Sequence, residues 1–256
     1  MIGRSRHRTH SGIPHGSTLN FGSNLQIYYR WKEGITSESI TTTQEDDSTS
    51  TTTNVTTWAD QSSNSNNATQ TTDENEPLLA SDGSLDFFDD GDGSNADFMN
   101  FTSFKIDNNN DFLSFIVADL RDAATSCYLS DSGGEVLEYQ TNNKHRFKTA
   151  AGSTEIVNNT DGGFQTPADE KHLYIVHRTN GSTGTIIGYK NGKAADSSVT
   201  NANQFDLSNL GSKNDVANFF DGKIYDVGII EATVSSEYRK RLEDHLICKH
   251  GLERLA

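Results

Sequence analysis

Between Leu25 and Ile230 apolar residues recur in short runs separated by Gly, Asn and Asp, the rhythm of strands and turns rather than the three-to-four spacing of helices. In Leu25-Gln26-Ile27-Tyr28-Tyr29-Arg30-Trp31 the two-residue period of a strand puts Leu25, Ile27, Tyr29 and Trp31 on one face, which is expected to be buried. Further strands are predicted at Leu85 to Phe88, Phe98 to Phe104, Phe112 to Leu120, Val136 to Tyr139, Leu173 to His177 and Thr185 to Tyr189. After Tyr189-Lys190, the Asn191-Gly192 pair readily supplies the two positive φ values of a tight hairpin. Residues 36–54 are rich in Thr and Ser with few apolar anchors and read as a surface loop.

The run from Gly222 to Ile230 carries apolar residues on both faces, as an inner strand does: Ile224, Asp226, Gly228 and Ile230 on one, Tyr225, Val227 and Ile229 on the other. Only after it does the period change. Ser235 can cap a helix with Glu237 in its first turn and Tyr238, Leu242 and Leu246 in one stripe. Gly251 supplies a left-handed stop, Lys249 and His250 suit the negative end of the helix dipole, and Leu252 can fold back on Ile247. These elements predict an arm over residues 1–24 and one β domain over residues 25–256.

Composition narrows the function. The net charge of −15 argues against nucleic acid as the main partner, because phosphates need a basic surface. No run approaches the length of a membrane span and no apolar export segment follows Met1, so neither a membrane partner nor secretion is expected. Cys127 and Cys248 are too few for a disulfide framework and are expected to be free thiols.

The arm reverses the overall charge: Arg4, Arg6 and Arg8 precede any acidic residue, which makes them candidates for docking on an acidic partner. His7, His10 and His15 in the same segment lack a setting that would select a metal.

The segment from Asp89 to Asp97 offers Asp89, Asp90, Asp92 and Asp97 as candidate calcium ligands, calcium being the one cofactor the sequence suggests. It departs from the EF-hand pattern, with Asn95 in place of the required Gly and Phe101 in place of the terminal Glu. No alternate-position carboxylates suited to glycoside hydrolysis occur on a strand; Glu135 and Glu138 are expected on opposite faces, and Asp73, Glu74 and Glu76 lie in a polar loop beside Pro77. His172 and His177 read as strand-edge residues without a nucleophile nearby. No catalytic activity is expected.

Three segments together resemble the concanavalin A-like, laminin-G-type superfamily. The first is Trp58-Ala59-Asp60-Gln61-Ser62 through Ala68, with Ser63 and Ser65 where glycine is usual; the second is the hairpin at Gly188 to Lys193; the third runs from Phe220 through the helix to Lys249-His250-Gly251-Leu252, with His250 in place of an aromatic residue. The resemblance implies an all-β fold: a concanavalin A-like jelly-roll sandwich of two antiparallel sheets with one C-terminal α-helix. Taken with the lack of an export segment and of a catalytic constellation, the acidic single sandwich and the basic arm, the resemblance leads to the expectation of a virion structural protein, a decoration or cement subunit bound to the major capsid protein or other virion subunits, present as a homo-oligomer or in many copies on a lattice. The alternative is a carbohydrate-binding, lectin-like module of a phage fibre or adhesin with glycans as partners. Trp31 and Trp58 are the sugar-stacking candidates, although both fall in strand patterns where core burial is expected.

Overall fold

The computed structural model describes residues 24–43, 48–88, 96–121, 125–140, 144–149, 151–157, 170–213 and 217–255. The predicted arm with Arg4, Arg6 and Arg8 lies outside the described residues, as do Asp89, Asp90 and Asp92.

The strands in order are β1 (Leu25–Tyr29), β2 (Ile35–Thr43), β3 (Thr49–Trp58), β4 (Ala68–Thr69), β5 (Leu78–Leu79), β6 (Leu85–Phe87), β7 (Met99–Ile106), β8 (Phe112–Leu120) and β9 (Ser126–Ser130). They continue with β10 (Val136–Gln140), β11 (Lys144–Thr149), β12 (Gly152–Val157), β13 (Lys171–Thr179), β14 (Thr185–Lys190), β15 (Lys193–Ala194), β16 (Val199–Thr200), β17 (Phe205–Leu210) and β18 (Gly222–Ile230). The helix α1 (Ser236–His250) follows.

Every ladder between these strands is antiparallel. In one run, β1 and β6 share an edge of β18, which pairs on its other side with β8, then β13 and β14. In a second run the order is β2–β3–β4–β7–β17–β9–β10–β11–β12. The short β5 pairs with both β3 and β6 and joins the runs into one hydrogen-bonded network.

The larger core takes Phe112, Val176 and Ile229 from the first run and Leu129, Phe147 and Leu207 from the second. A smaller core lies under the helix, where Leu113, Phe115 and Val117 of β8 and Leu173 and Ile175 of β13 meet Leu242, Leu246 and Ile247. Strand β8 therefore serves both cores with alternate residues, which explains why apolar residues occupy both of its faces. Burying each large aliphatic side chain of the helix contributes about 1.5–3 kcal/mol.

The helix ends match the sequence. Ser235 Oγ accepts the Tyr238 amide at 3.1 Å, Gly251 stands at φ 64°, and the Leu252 amide donates to the Ile247 carbonyl at 2.9 Å. Asn191 and Gly192 adopt φ 45° and 87° between the paired Lys190 and Lys193, the predicted hairpin.

Three readings change. Within the segment 36–54, residues 36–43 and 49–54 pair antiparallel, β2 against β3, rather than forming a loop. The β-branched Thr side chains that looked unanchored suit extended backbone even where little is buried. In β1 and β18 the simple alternation breaks at register shifts between Leu25 and Ile27 and between Ile224 and Asp226. Leu25 and Tyr225 consequently join the core under the helix, whereas Ile27, Ile224, Val227 and Ile229 join the larger one. Strand β13 extends beyond the predicted limits, so His172 and His177 lie within it, His177 buried.

Candidate functional site

The first pairing run leaves part of its helix-bearing face uncovered. By the two-residue period, Asp119 continues the face of Phe115 and Val117 past the helix. Opposite it across the ladders stand Lys171 on β13 and Lys223 on β18, and opposite Lys223 stands Asp86 on β6. The result is a row of alternating charge, Lys171–Asp119–Lys223–Asp86, across four strands. Cross-strand opposite charges stabilise a sheet modestly, by roughly 0.2–1 kcal/mol per pair.

Aromatic residues flank the row. Toward the helix, Trp31 sits in the turn after β1, half-buried, with its ring 6.1 Å from that of Tyr225 and 5.1 Å from that of His250. At the other end Phe88 is 51% exposed, with the Arg121 guanidinium 5.7 Å from its ring and paired with Asp86 and Asp221. The Lys32 ammonium lies 4.2 Å from the Trp31 ring centre, and that of Lys171 lies 4.3 Å from the Tyr225 ring. Four cations, Lys32, Arg121, Lys171 and Lys223, thus share the patch with Asp82, Asp86, Asp119 and Asp221, a local balance on a strongly acidic chain.

Two acidic residues fix the aromatic end. Asp82 accepts from the amide and hydroxyl of Ser84 at 3.0 and 2.6 Å and from the Tyr225 hydroxyl at 3.0 Å, while its carbonyl accepts the Trp31 indole N–H at 3.1 Å. Burial works against its ionised form, yet the bonds from Ser84 and Tyr225 and the charge of Lys223 hold its carboxyl below the usual range. Burial raises the Tyr225 hydroxyl above its ordinary value, with Asp82 adding to the effect. Lys171 is lowered by burial, against the pull of Asp82, Asp119 and Asp226.

Asp226, fully buried, accepts the Trp31 amide at 3.0 Å and the Lys249 ammonium at 2.9 and 2.8 Å, and it bonds the His250 ring. Burial opposes its charge, but His250 and Lys249 hold its carboxyl low. His250 itself is pushed down by burial, against the opposing pull of Asp226. The residue standing where the resembled pattern has an aromatic thus packs as one and also hydrogen-bonds.

The other candidates fall elsewhere. Trp58 is 1% exposed in the larger core, with its indole N–H donated to the Arg30 carbonyl at 3.1 Å, so of the two tryptophans only Trp31 lies at the patch. Its companion Asp60 gathers the amides of Tyr28 and Asn66 and both the amide and hydroxyl of Ser62, which folds the Trp58–Ala68 motif into a turn. Ser65 in that turn stands at φ 57°, the conformation that glycine favours.

Asp97 is buried, accepts the Phe88 amide at 2.8 Å and is raised to about 8, mainly by burial. Glu138 is buried and paired with Arg146 at 2.6 Å, whereas Glu135 accepts the Asp206 amide, so these two carboxylates serve different partners. Cys127 is buried and Cys248 exposed, both free thiols.

Two acidic groups among the described residues bring three carboxylates together, Asp131 with Glu135 and Asp206, and Glu38 with Asp73 and Glu76. Lys171, Asp82 and Tyr225 carried no sequence signal of a site, because they converge only through pairing between distant strands and one bulge.

No protein-family model matches the chain, and no curated protein matches it either. Among solved structures it resembles the receptor binding domain of botulinum neurotoxin D, with a TM-score of 0.55 and 12% identity over 89% of this chain and 54% of that one. It is also similar to the CBM40 of a Ruminococcus gnavus IT-sialidase bound to α2,3 sialyllactose, with a TM-score of 0.41 and 11% identity over 52% of this chain and 82% of that one. An arabinofuranosidase complexed with arabinofuranosyl-α-1,2-xylobiose is similar with a TM-score of 0.46 and 13% identity over 88% of this chain and 59% of that one. The chain spans about half the length of the neurotoxin domain, and at such identity that likeness shows the fold alone, a nearly all-β antiparallel architecture.

Proposed function

We propose that the protein is a carbohydrate-binding, lectin-like module built as a jelly-roll sandwich, its two pairing runs forming the two layers. The observation that carries this reading is the Trp31–Tyr225 pair at the end of the charged row. A half-buried indole whose N–H is already satisfied offers its ring for stacking, while the neighbouring carboxylates and ammonium groups supply acceptors and donors for hydroxyls. A sugar laid on Trp31 displaces the exposed Lys32 ammonium from the ring, leaving it able to pair with a carboxylated sugar. The fold likeness to a receptor binding domain is in keeping with a binding role.

The competing expectation of a capsid decoration subunit drew in part on the basic arm with Arg4, Arg6 and Arg8, which lies outside the described residues, and the similarities reported above lend it no support.

A glycan array tests the proposal. The expected result is retention of at least one saccharide class, weakened about tenfold or more by Trp31→Ala, the equivalent of roughly 1.4 kcal/mol of lost stacking. Lys32→Ala, at an exposed position, checks the patch without touching the core. Absence of any retained saccharide, or retention indifferent to both changes, overturns it.

A further inference from the structure

Glu38 on β2 is distant in the chain from Asp73, at the head of a short 3-10 turn (Asp73–Asn75), and Glu76, just beyond that turn, yet one carboxylate oxygen of each lies within 4.8 Å of the others. Oxygens bound to a single calcium ion at 2.3–2.6 Å can be no farther apart than about 4.6–5.2 Å, so the spacing fits one shared cation. Glu76 is only 3% exposed, and its Oε2 is buried with no hydrogen-bond partner among the described residues. No Lys or Arg among the described residues pairs with any of the three.

Burying a carboxylate oxygen without a donor, beside two more carboxylates, is costly unless a proton or a cation fills the gap.

We infer that Glu38, Asp73 and Glu76 form a divalent cation site suited to calcium. The donor set is all hard oxygen with no His or Cys, and the three ligands sit on a strand and a turn rather than in a rigid octahedral cage, which favours calcium over magnesium or zinc. The surroundings are already organised: Asn54, opposite Glu38 in the β2–β3 ladder, donates to the Asp73 carbonyl at 3.2 Å, and the Val55 amide donates to the Pro77 carbonyl at 2.8 Å. A cation here ties the exposed β2–β3 hairpin to the segment that leads into β5. The other acidic group is less suited, because Asp131 Oδ1 already accepts the Glu135 amide and Glu135 Oε2 the Asp206 amide.

The test is a calorimetric titration of the chelator-treated full chain with calcium chloride, paired with thermal melts in calcium and in magnesium. The expected result is saturable calcium binding, a melting temperature that rises with calcium more than with magnesium, and affinity reduced at least about tenfold by Glu76→Gln. Glu38→Gln, at an exposed position, serves if the buried change prevents folding and is expected to weaken binding by a similar factor. Asp131→Asn is expected to leave binding unchanged. The inference is overturned if no heat and no melting shift appear up to ~10 mM calcium, about tenfold above the weakest class of calcium modules. Undiminished binding in both glutamine variants also overturns it, since the cation then sits elsewhere.

Discussion

Replacing Asp226 with Asn removes one charge from the fully buried carboxylate that joins β18, the Trp31 turn and the end of α1. With an effective dielectric near 20 and charge centres about 3.5 Å apart, the attraction to Lys249 alone is roughly 5 kcal/mol before desolvation. Breaking a buried pair by removing one partner costs about 3–5 kcal/mol. Two features place Asp226→Asn at the lower end: the Asn carbonyl can still accept the Trp31 amide, and Lys249 keeps a path to water with 16% of its side chain exposed. The Asn amide group, however, must face the Lys249 ammonium or the His250 ring, donor against donor.

About 3 kcal/mol is therefore expected in urea melts at neutral pH with an unchanged m-value, with a fall in Tm of roughly 6–12 °C for a domain of this size. Because the carboxyl is held below 3.8 in the fold, its contribution is complete above that pH. The gap between wild type and variant should close only as the pH falls below it. Adding Lys249→Met to Asp226→Asn should recover part of the loss, a coupling measurable in a double-mutant cycle. A destabilisation under about 1 kcal/mol, or strict additivity in that cycle, refutes the buried clamp.

Ser65→Gly should stabilise the fold by about 0.5–1 kcal/mol, since Ser65 stands at φ 57°, whereas Ser63→Gly should give no such gain; paired urea melts decide it. Burial between the Tyr128 and Tyr139 rings lowers His145 to about 3, so the folded chain refuses a proton that the unfolded chain accepts below about 6.5. Stability should then fall with decreasing pH between 6.5 and 3 about 1.4 kcal/mol per unit more steeply in wild type than in His145→Phe; equal slopes in urea melts would contradict this. Arg178, fully buried, donates to the carbonyls of Asn110, Asn203 and Asp107, and Arg178→Met should cost about 3 kcal/mol or more by calorimetry because three loop carbonyls lose their donor.

What could be read from the sequence was local. The Ser235 cap, the Gly251 stop and the Asn191-Gly192 hairpin depend on neighbouring residues and fixed backbone angles, and the apolar residues on both faces of β18 announce an inner strand. The β2–β3 hairpin was illegible because Thr and Ser mark turns and extended strands alike, and only pairing partners separate the two. The bulges at Leu25 and Tyr225 were hidden for a related reason: alternation predicts faces only while the register holds. Trp31 falls in a strand pattern, whereas its place in a turn, held by Asp82 and Asp226, depends on residues more than fifty and nearly two hundred positions away. Glu76 was seen in a polar loop, and nothing local shows that β2 brings Glu38 to it.

The chain contains two tryptophans, one buried and one at the charged row, so their indole N–H resonances separate the core from the patch in a single spectrum. Titrating the protein with a saccharide retained on the array should shift the Trp31 signal while the Trp58 signal stays in place. A saturating saccharide that leaves Trp31 unmoved would contradict the proposed binding surface.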